Sequence, residues 1–182
     1  MRLSVFVALL GMVAAAHAQP ARIILIRHAE KSADEQDPNL SAEGRDRAQR
    51  LVAWLSEGKV LGTSGPPAAL YAAEPSNQGR GVRCVQTLEP TARHLNLPIR
   101  TPHRPDEYVK LAGRLLRSAS LRGKTVVVCW PHEELPRLAA ALGVKPEPPK
   151  WKDKDFKSAY IITYENGEAQ LESTKQQLKK KR

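Results

Sequence analysis

The sequence predicts an α/β fold: a mostly parallel central sheet with helices on both faces. Residues 23–26 and 124–130 form two short apolar runs rich in β-branched side chains. Runs of this kind are typical of strands buried on both faces. Strand patterns alternate with helix patterns along the chain, as parallel strands require. No repeat or Gly/Ser linker interrupts residues 19–174, so we expect one domain there.

The first strand, residues 23–26, is followed directly by Arg27 and His28. We expect the first helix to begin after Ser41, because a serine hydroxyl is a good N-cap. Four apolar residues then follow at the i, i+3, i+4, i+7 spacing of one helical face, and Gly58 ends the pattern.

A second strand is predicted at residues 69–72, and a helix over residues 85–95 that Pro90 should kink or delay. Residues 97–101 fit a short edge strand, and residues 106–119 have helical periodicity.

The strand at residues 124–130 precedes a helix at 135–142, which Gly143 closes. Residues 158–164 and 168–172 then form a hairpin with an Asn-Gly turn, which is typical of a primed turn.

Residues 1–18 have the pattern of a signal peptide: Arg2, an apolar run and a small-x-small ending. We therefore expect cleavage after Ala18, a periplasmic or secreted protein, and no stable membrane insertion after cleavage. An uncleaved anchor is the alternative, although the run is shorter than the about 20 residues that a spanning helix needs.

The formal net charge is +10, but without residues 1–18 and 175–182 it is only about +4, a mildly basic balance that suits small anionic substrates. No specific nucleic-acid partner is expected, and the sequence leaves the oligomeric state open. Residues 175–182 are predicted to be a disordered basic tail. Its charges are Lys175, Lys179, Lys180, Lys181 and Arg182.

The sequence contains two cysteines, Cys84 and Cys129. They could form one disulfide in an oxidising compartment or remain small buried thiols. Both alternatives stay open at this stage.

Both of the strongest strands end in a histidine, His28 after the first and His132 after the strand at 124–130. Because sites in open α/β sheets form at the carboxyl ends of strands, we expect these histidines to converge. Arg83, near the start of a helix, is a further cation beside Arg27. Two imidazoles and two guanidinium groups can hold a phosphate dianion. No metal-ligand spacing occurs among the histidines and cysteines.

Several segments together resemble the histidine phosphatase superfamily, the group of phosphoglycerate-mutase-like enzymes, and in particular an exported bacterial member. They occur in the family's order and span nearly the whole of residues 19–174. The carrying segments are Leu-Ile-Arg-His-Ala-Glu at 25–30, Leu-Ser-Ala-Glu-Gly-Arg at 40–45, Arg-Cys-Val-Gln-Thr at 83–87 and Trp-Pro-His at 130–132.

The resemblance implies a phosphoglycerate-mutase-like fold and catalysis by a phosphohistidine without a metal or cofactor. His28 would be the nucleophile, and Arg27, Arg83 and His132 would bind the phosphoryl oxygens. Lys31 is placed with the substrate-binding residues. The chain departs from the family before Arg83, which leaves Arg80 as the alternative second arginine.

The resemblance leaves the proton donor open between Glu133 and Glu107. Glu133 follows the second histidine and could acquire the raised pKa of a general acid, or it could be an ordinary first-turn residue of a helix.

The predicted function is an exported, metal-independent phosphatase of small phosphomonoesters. The alternatives are a phosphotransferase or mutase using the same histidine, and a catalytically weak phosphate-binding or interaction module. Three aromatic residues could form a wall of the site or simply pack the last strand: Trp151, Phe156 and Tyr160.

Overall fold

A computed structural model describes residues 19–34, 36–76 and 79–178. The predicted signal peptide and residues 179–182 of the predicted tail lie outside these ranges. Six strands form one sheet in the order β3-β2-β4-β1-β5-β6. They are β1 Arg22–Arg27, β2 Pro67–Ala72, β3 Ile99–Arg100, β4 Thr125–Trp130, β5 Ser158–Glu165 and β6 Glu168–Lys175.

The sheet is mostly parallel, as predicted. β1, β2, β3 and β4 pair in parallel, whereas β5 and β6 form an antiparallel hairpin on the β1 side. Every residue of β4 is buried, and β1 is buried from its second residue onward. Strands buried on both faces explain the uninterrupted apolar runs in the sequence.

Four α-helices cover the sheet: α1 Ala42–Ser56, α2 Val82–Leu95, α3 Tyr108–Arg117 and α4 Leu135–Ala141. α1 packs against α2, and α3 packs against α4. The connections from β1 to β3 run toward one edge of the sheet, and the connection from β3 to β4 runs back. Because parallel crossovers are right-handed, the two helix pairs lie on opposite faces. The predicted fold class is confirmed.

The helix boundaries show which local signals were effective. Ser41 is the N-cap of α1, and its side chain accepts a hydrogen bond of 3.0 Å from the Gly44 amide, as predicted. α2 begins at Val82 and continues through Pro90, so the proline does not delay it. Pro90 has no amide hydrogen to donate within the helix, and α2 packs against α1.

Two terminal features differ from the sequence prediction. β3 contains only Ile99–Arg100, because Pro98 and Pro102 flank it and cannot donate to a strand ladder. In the second segment, β6 includes Lys175, the first residue of the predicted tail. Gln176 is buried and donates a 3.1 Å hydrogen bond to the Ser158 carbonyl. None of the helices in the described ranges is both long enough and apolar enough to span a bilayer.

Candidate active site

The carboxyl ends of β1 and β4 form the floor of the candidate site. Arg27 is the last residue of β1, and it pairs in register with Trp130, the last residue of β4. His28 and His132 therefore leave the sheet at the same edge, as predicted. Arg27, His28 and His132 are each at least nine-tenths buried. We call Arg27, His28, Arg83 and His132 the His28 site.

The His28 ring is held in one tautomer. Its Nδ1 lies 2.7 Å from the carbonyl oxygen of Ala29. A carbonyl can only accept, so Nδ1 carries the proton and Nε2 keeps its lone pair. Burial, together with the charges of Arg27, Arg83 and His132, lowers the pKa of His28 to about 4, against the opposing effect of the Ala29 hydrogen bond. The ring is therefore neutral and nucleophilic at pH 7.

Arg27 is fixed from two sides. Its guanidinium lies 4.0 Å from the centroid of the Phe156 ring and donates a hydrogen bond to the Asp153 carbonyl. The Arg27 Nε is buried and has no hydrogen-bond partner among the described residues. Phe156 also lies beside His28, with ring centroids 6.0 Å apart. Of the three aromatics considered from sequence, Phe156 thus lines the site, whereas Trp151 and Tyr160 pack edge-to-face on each other.

Arg83 occupies the first turn of α2 and donates a 3.3 Å hydrogen bond to the Asp37 carbonyl. It is among the charges that act on His28. Gly81 caps α2 at φ 87°, where a Cβ would lie 2.3 Å from the Glu74 carbonyl oxygen. Only glycine allows this approach of the helix start to the end of β2. Arg80, the sequence alternative, is exposed in the preceding turn.

Gln86 and Thr87, the last two residues of the Arg-Cys-Val-Gln-Thr segment at 83–87, connect α2 to the loop after β1 by hydrogen bonds. The Thr87 hydroxyl accepts from the Ala29 amide at 2.9 Å and donates to the Arg83 carbonyl at 2.7 Å. The Gln86 side chain accepts from the Leu40 amide at 2.9 Å. The segment therefore fixes the loop that follows His28 and also contains Arg83.

His132 lies between two carboxylates. Its Nδ1 is 3.1 Å from Glu133 Oε2, a close contact without hydrogen-bond alignment. Its Nε2 is 3.3 Å from Asp153 Oδ1. Sequence reasoning missed Asp153, because alternating lysines and aspartates at residues 152–155 resemble an ordinary solvated loop.

Both candidate proton donors, Glu133 and Glu107, have lowered pKa values. The contact with His132 lowers the pKa of Glu133 to about 2, against a smaller effect of burial. Hydrogen bonds from Lys110 and the Arg104 amide lower the pKa of Glu107 to about 2. Glu133 therefore lacks the raised pKa that a general acid needs, because His132 and Arg27 stabilise its ionised carboxylate.

Glu30 and Arg47 form an ion pair beneath the loop that carries His28. Arg47 donates to both carboxylate oxygens, at 2.6–2.9 Å, and both side chains are largely buried. Lys31 is exposed, and its backbone pairs with that of Leu40.

Cys84 and Cys129 are free, buried thiols. Burial and, to a smaller extent, the neighbouring Cys84 thiol raise the pKa of Cys129. No cluster of three or more His, Cys, Asp or Glu side chains suited to a metal occurs in the described ranges.

The fold is shared with solved phosphatases and a mutase. A candidate α-ribazole-5′-phosphate phosphatase of Escherichia coli K-12 matches with a TM-score of 0.60 at 15% identity, covering 86% of this chain and 97% of that one. A phosphoglycerate mutase of Bacillus anthracis matches with a TM-score of 0.58 at 11% identity, covering 87% of this chain and 94% of that one. The fold is phosphoglycerate-mutase-like.

A mycobacterial glucosyl-3-phosphoglycerate phosphatase, solved in complex with inorganic phosphate, matches with a TM-score of 0.50 at 14% identity. The match covers 85% of this chain and 95% of the mycobacterial one. No protein-family model matches the sequence, and no curated protein does. At these identities the likeness shows the fold, and the chemistry has to be argued from the site.

Proposed function

We propose that this protein is a metal-independent phosphatase of the histidine phosphatase type, acting on small phosphomonoesters through His28. The observation that carries the proposal is the neutral His28 ring, with Nδ1 held by the Ala29 carbonyl and Nε2 free among cationic groups. The solved proteins of the same fold, one of them with bound phosphate, support the same substrate chemistry.

In the first step the lone pair of His28 Nε2 forms a bond to phosphorus, and the bond to the leaving oxygen breaks. Arg27 and Arg83 bind the phosphoryl oxygens and stabilise the charge of the transition state, together with His132. Water then attacks phosphorus, the P–N bond breaks, and phosphate leaves with the neutral imidazole restored. Fixed cations take the part that a metal ion plays in other phosphatases.

The leaving oxygen must either receive a proton or be stable as an anion. Glu133 and Glu107 are ionised at neutral pH, since the pKa of each is lowered to about 2. We therefore propose a preference for good leaving groups, with aryl phosphates hydrolysed faster than alkyl phosphates. Glu133 then acts as a positioning residue for His132 through the 3.1 Å contact with Nδ1.

The test is turnover of an aryl phosphate by the purified protein in the presence of a chelator. Activity should survive the chelator and disappear in His28→Ala. His94→Ala is the matched control, because His94 is exposed on α2 and should be dispensable. Full activity in His28→Ala would refute the mechanism, and the absence of turnover on a panel of phosphoesters would favour a phosphate-binding module.

A second comparison locates the proton donor, if one exists. Glu133→Gln and Glu107→Gln are assayed on an aryl and an alkyl phosphate. Loss of a true donor slows the alkyl substrate far more than the aryl substrate. We expect Glu133→Gln to slow both equally, as befits a residue that acts through His132.

We also propose that the protein is exported and cleaved after Ala18. The support is the pattern of residues 1–18 alone. Mass spectrometry of the protein recovered from a periplasmic fraction should give Gln19 as the first residue. Recovery of the uncleaved chain from the cytoplasm would contradict export.

A further inference from the structure

A second concentration of positive charge lies on α3 and the segment that follows it. Residues 108–124 contain five Lys or Arg residues and no Asp or Glu. Lys110, Arg114 and Arg117 share one helical face by their spacing, and all three are exposed. With His103 they line a shallow cavity of about 380 Å³. We call these four residues the His103 site.

His103 contributes an unpaired buried nitrogen. Its Nε2 is buried and has no hydrogen-bond partner among the described residues. The nearest carboxylate, Glu107, lies 3.9 Å from the other ring nitrogen and is itself paired with Lys110 at 2.6 Å. Burial, followed by the charge of Arg114, lowers the pKa of His103. An unpaired buried polar atom is unfavourable, and an incoming oxyanion would satisfy it.

The Arg117 guanidinium packs against the backbone of Gly113. A Cβ on Gly113 would lie 2.8 Å and 3.0 Å from the two terminal nitrogens of Arg117. The guanidinium therefore rests against the bare backbone of α3, on the helix surface. This placement gathers like charges that repel one another in the absence of an anion.

We propose that His103, Lys110, Arg114 and Arg117 form a second oxyanion site, which binds the phosphate group of a ligand independently of His28. The three cations supply charge and donors, and protonated His103 Nε2 supplies a further donor. The site lies at the same sheet edge as His28, since the His103 carbonyl accepts a 2.9 Å hydrogen bond from Glu74 after β2. Anion binding at the His103 site does not depend on the hydrolysis proposed for the His28 site.

The phosphate could come from a soluble compound or from a lipid headgroup, and separate probes distinguish these sources. Inorganic pyrophosphate is titrated into ¹⁵N-labelled protein, with the Gly113 amide and the His103 ring as reporters. Both signals should shift, and the His103 pKa should rise on binding. Phosphatidylglycerol and phosphatidylcholine vesicles are then compared by co-sedimentation. Binding to phosphatidylglycerol without a response to pyrophosphate assigns the site to lipid headgroups.

Charge-matched variants give the decisive comparison. Arg114→Gln with Arg117→Gln should weaken binding of the responding probe at these reporters about tenfold or more. Arg122→Gln with Lys124→Gln removes the same charge from exposed positions outside the cavity, and should change it less than about twofold. Equal losses in both double variants would indicate a nonspecific basic surface and overturn the proposal.

Gly113→Ala tests the geometry without changing charge. The methyl group should displace Arg117, a flexible side chain, while alanine favours the helix. We expect severalfold weaker binding with an unchanged or higher melting temperature. His28→Ala should bind at the His103 site as the natural chain does. The proposal is overturned if neither probe perturbs Gly113 or His103. It is also overturned if binding is unaltered in both Gly113→Ala and the Arg114/Arg117 variant.

Discussion

The Thr87 hydroxyl accepts a 2.9 Å hydrogen bond from the backbone amide of Ala29, the residue after the candidate nucleophile. The same hydroxyl donates to the Arg83 carbonyl at 2.7 Å. One buried oxygen thus joins the loop that carries His28 to the helix that carries Arg83. The roles proposed for His28 as nucleophile and for Arg83 as a phosphate-binding residue depend on this connection.

Replacing Thr87 with valine tests that dependence. The variant keeps the shape but leaves the Ala29 amide unpaired, so we expect stability to fall by about 1–3 kcal/mol and kcat/KM by at least about tenfold. Thr91→Val is the control, because Thr91 lies one turn further along α2, is equally buried, and has a hydroxyl with no hydrogen-bond partner among the described residues. Urea unfolding and aryl phosphate turnover provide the readouts. Similar behaviour of the two variants would contradict the positioning role.

Asp153 is expected to oppose substrate binding. Its carboxylate lies 3.3 Å from His132 Nε2, where we expect a phosphoryl oxygen, although its side chain is 76% exposed and free to move away. Asp153→Asn removes the repulsion of the phosphate, so KM should fall about three- to tenfold. Glu165→Gln, at the exposed hairpin turn, controls for loss of one negative charge.

The opposite kinetic pattern would assign Asp153 a different role. If Asp153→Asn lowered kcat on an alkyl phosphate and left KM unchanged, the carboxyl would take part in the chemistry, for example as the missing proton donor.

The buried Glu30–Arg47 pair should dominate the ionic contribution to stability. Arg47→Met leaves the Glu30 carboxylate buried and uncompensated, which we expect to cost about 3–5 kcal/mol. The comparison is Arg50→Met, which breaks the more exposed Arg50–Asp46 pair on the same helix and should cost less than about 1 kcal/mol. Equal costs in urea unfolding would show that burial of the first pair is unimportant.

The lowered pKa of His28 makes stability depend on pH in a defined window. Between pH 6.5 and about 4 the unfolded chain binds a proton at His28 that the folded chain does not. The neutral His28 ring therefore costs no free energy of unfolding above pH 6.5, and the free energy of unfolding falls as the pH drops towards 4. From pH 7 to 4.5 the natural chain should lose about 2–3 kcal/mol more than His28→Asn.

Urea unfolding at the two pH values measures this difference. His94→Asn, at an exposed position, should lose as much stability as the natural chain. Equal losses in His28→Asn and the natural chain would place the pKa of His28 near its ordinary value.

The sequence was sufficient for the sheet and for the residues at its carboxyl edge. Apolar runs of β-branched residues mark buried strands wherever they occur, and His28 and His132 follow two of them. Parallel strands end at one edge, so convergence of these two side chains follows from topology alone. The helix start at Ser41 was predictable because the capping interaction is local.

The sequence was insufficient where a contact joins distant segments. The carboxylate of Asp153 reaches His132 from a loop 21 residues away, and no local pattern marks it. The pKa of Glu133 depends on which charges surround it, and only the assembled site shows that these are cationic. The pairing of Arg117 with Gly113 is also invisible in a pattern of charges.

The central claim is that His28 becomes phosphorylated during turnover, and trapping the intermediate tests it most directly. The protein is mixed with an aryl phosphate, quenched in base within milliseconds, digested and analysed by mass spectrometry. We predict a base-stable, acid-labile phosphoramidate on His28, which His28→Asn lacks. Phosphate release with His28 unmodified, or with the phosphoryl group on another residue, would contradict the account.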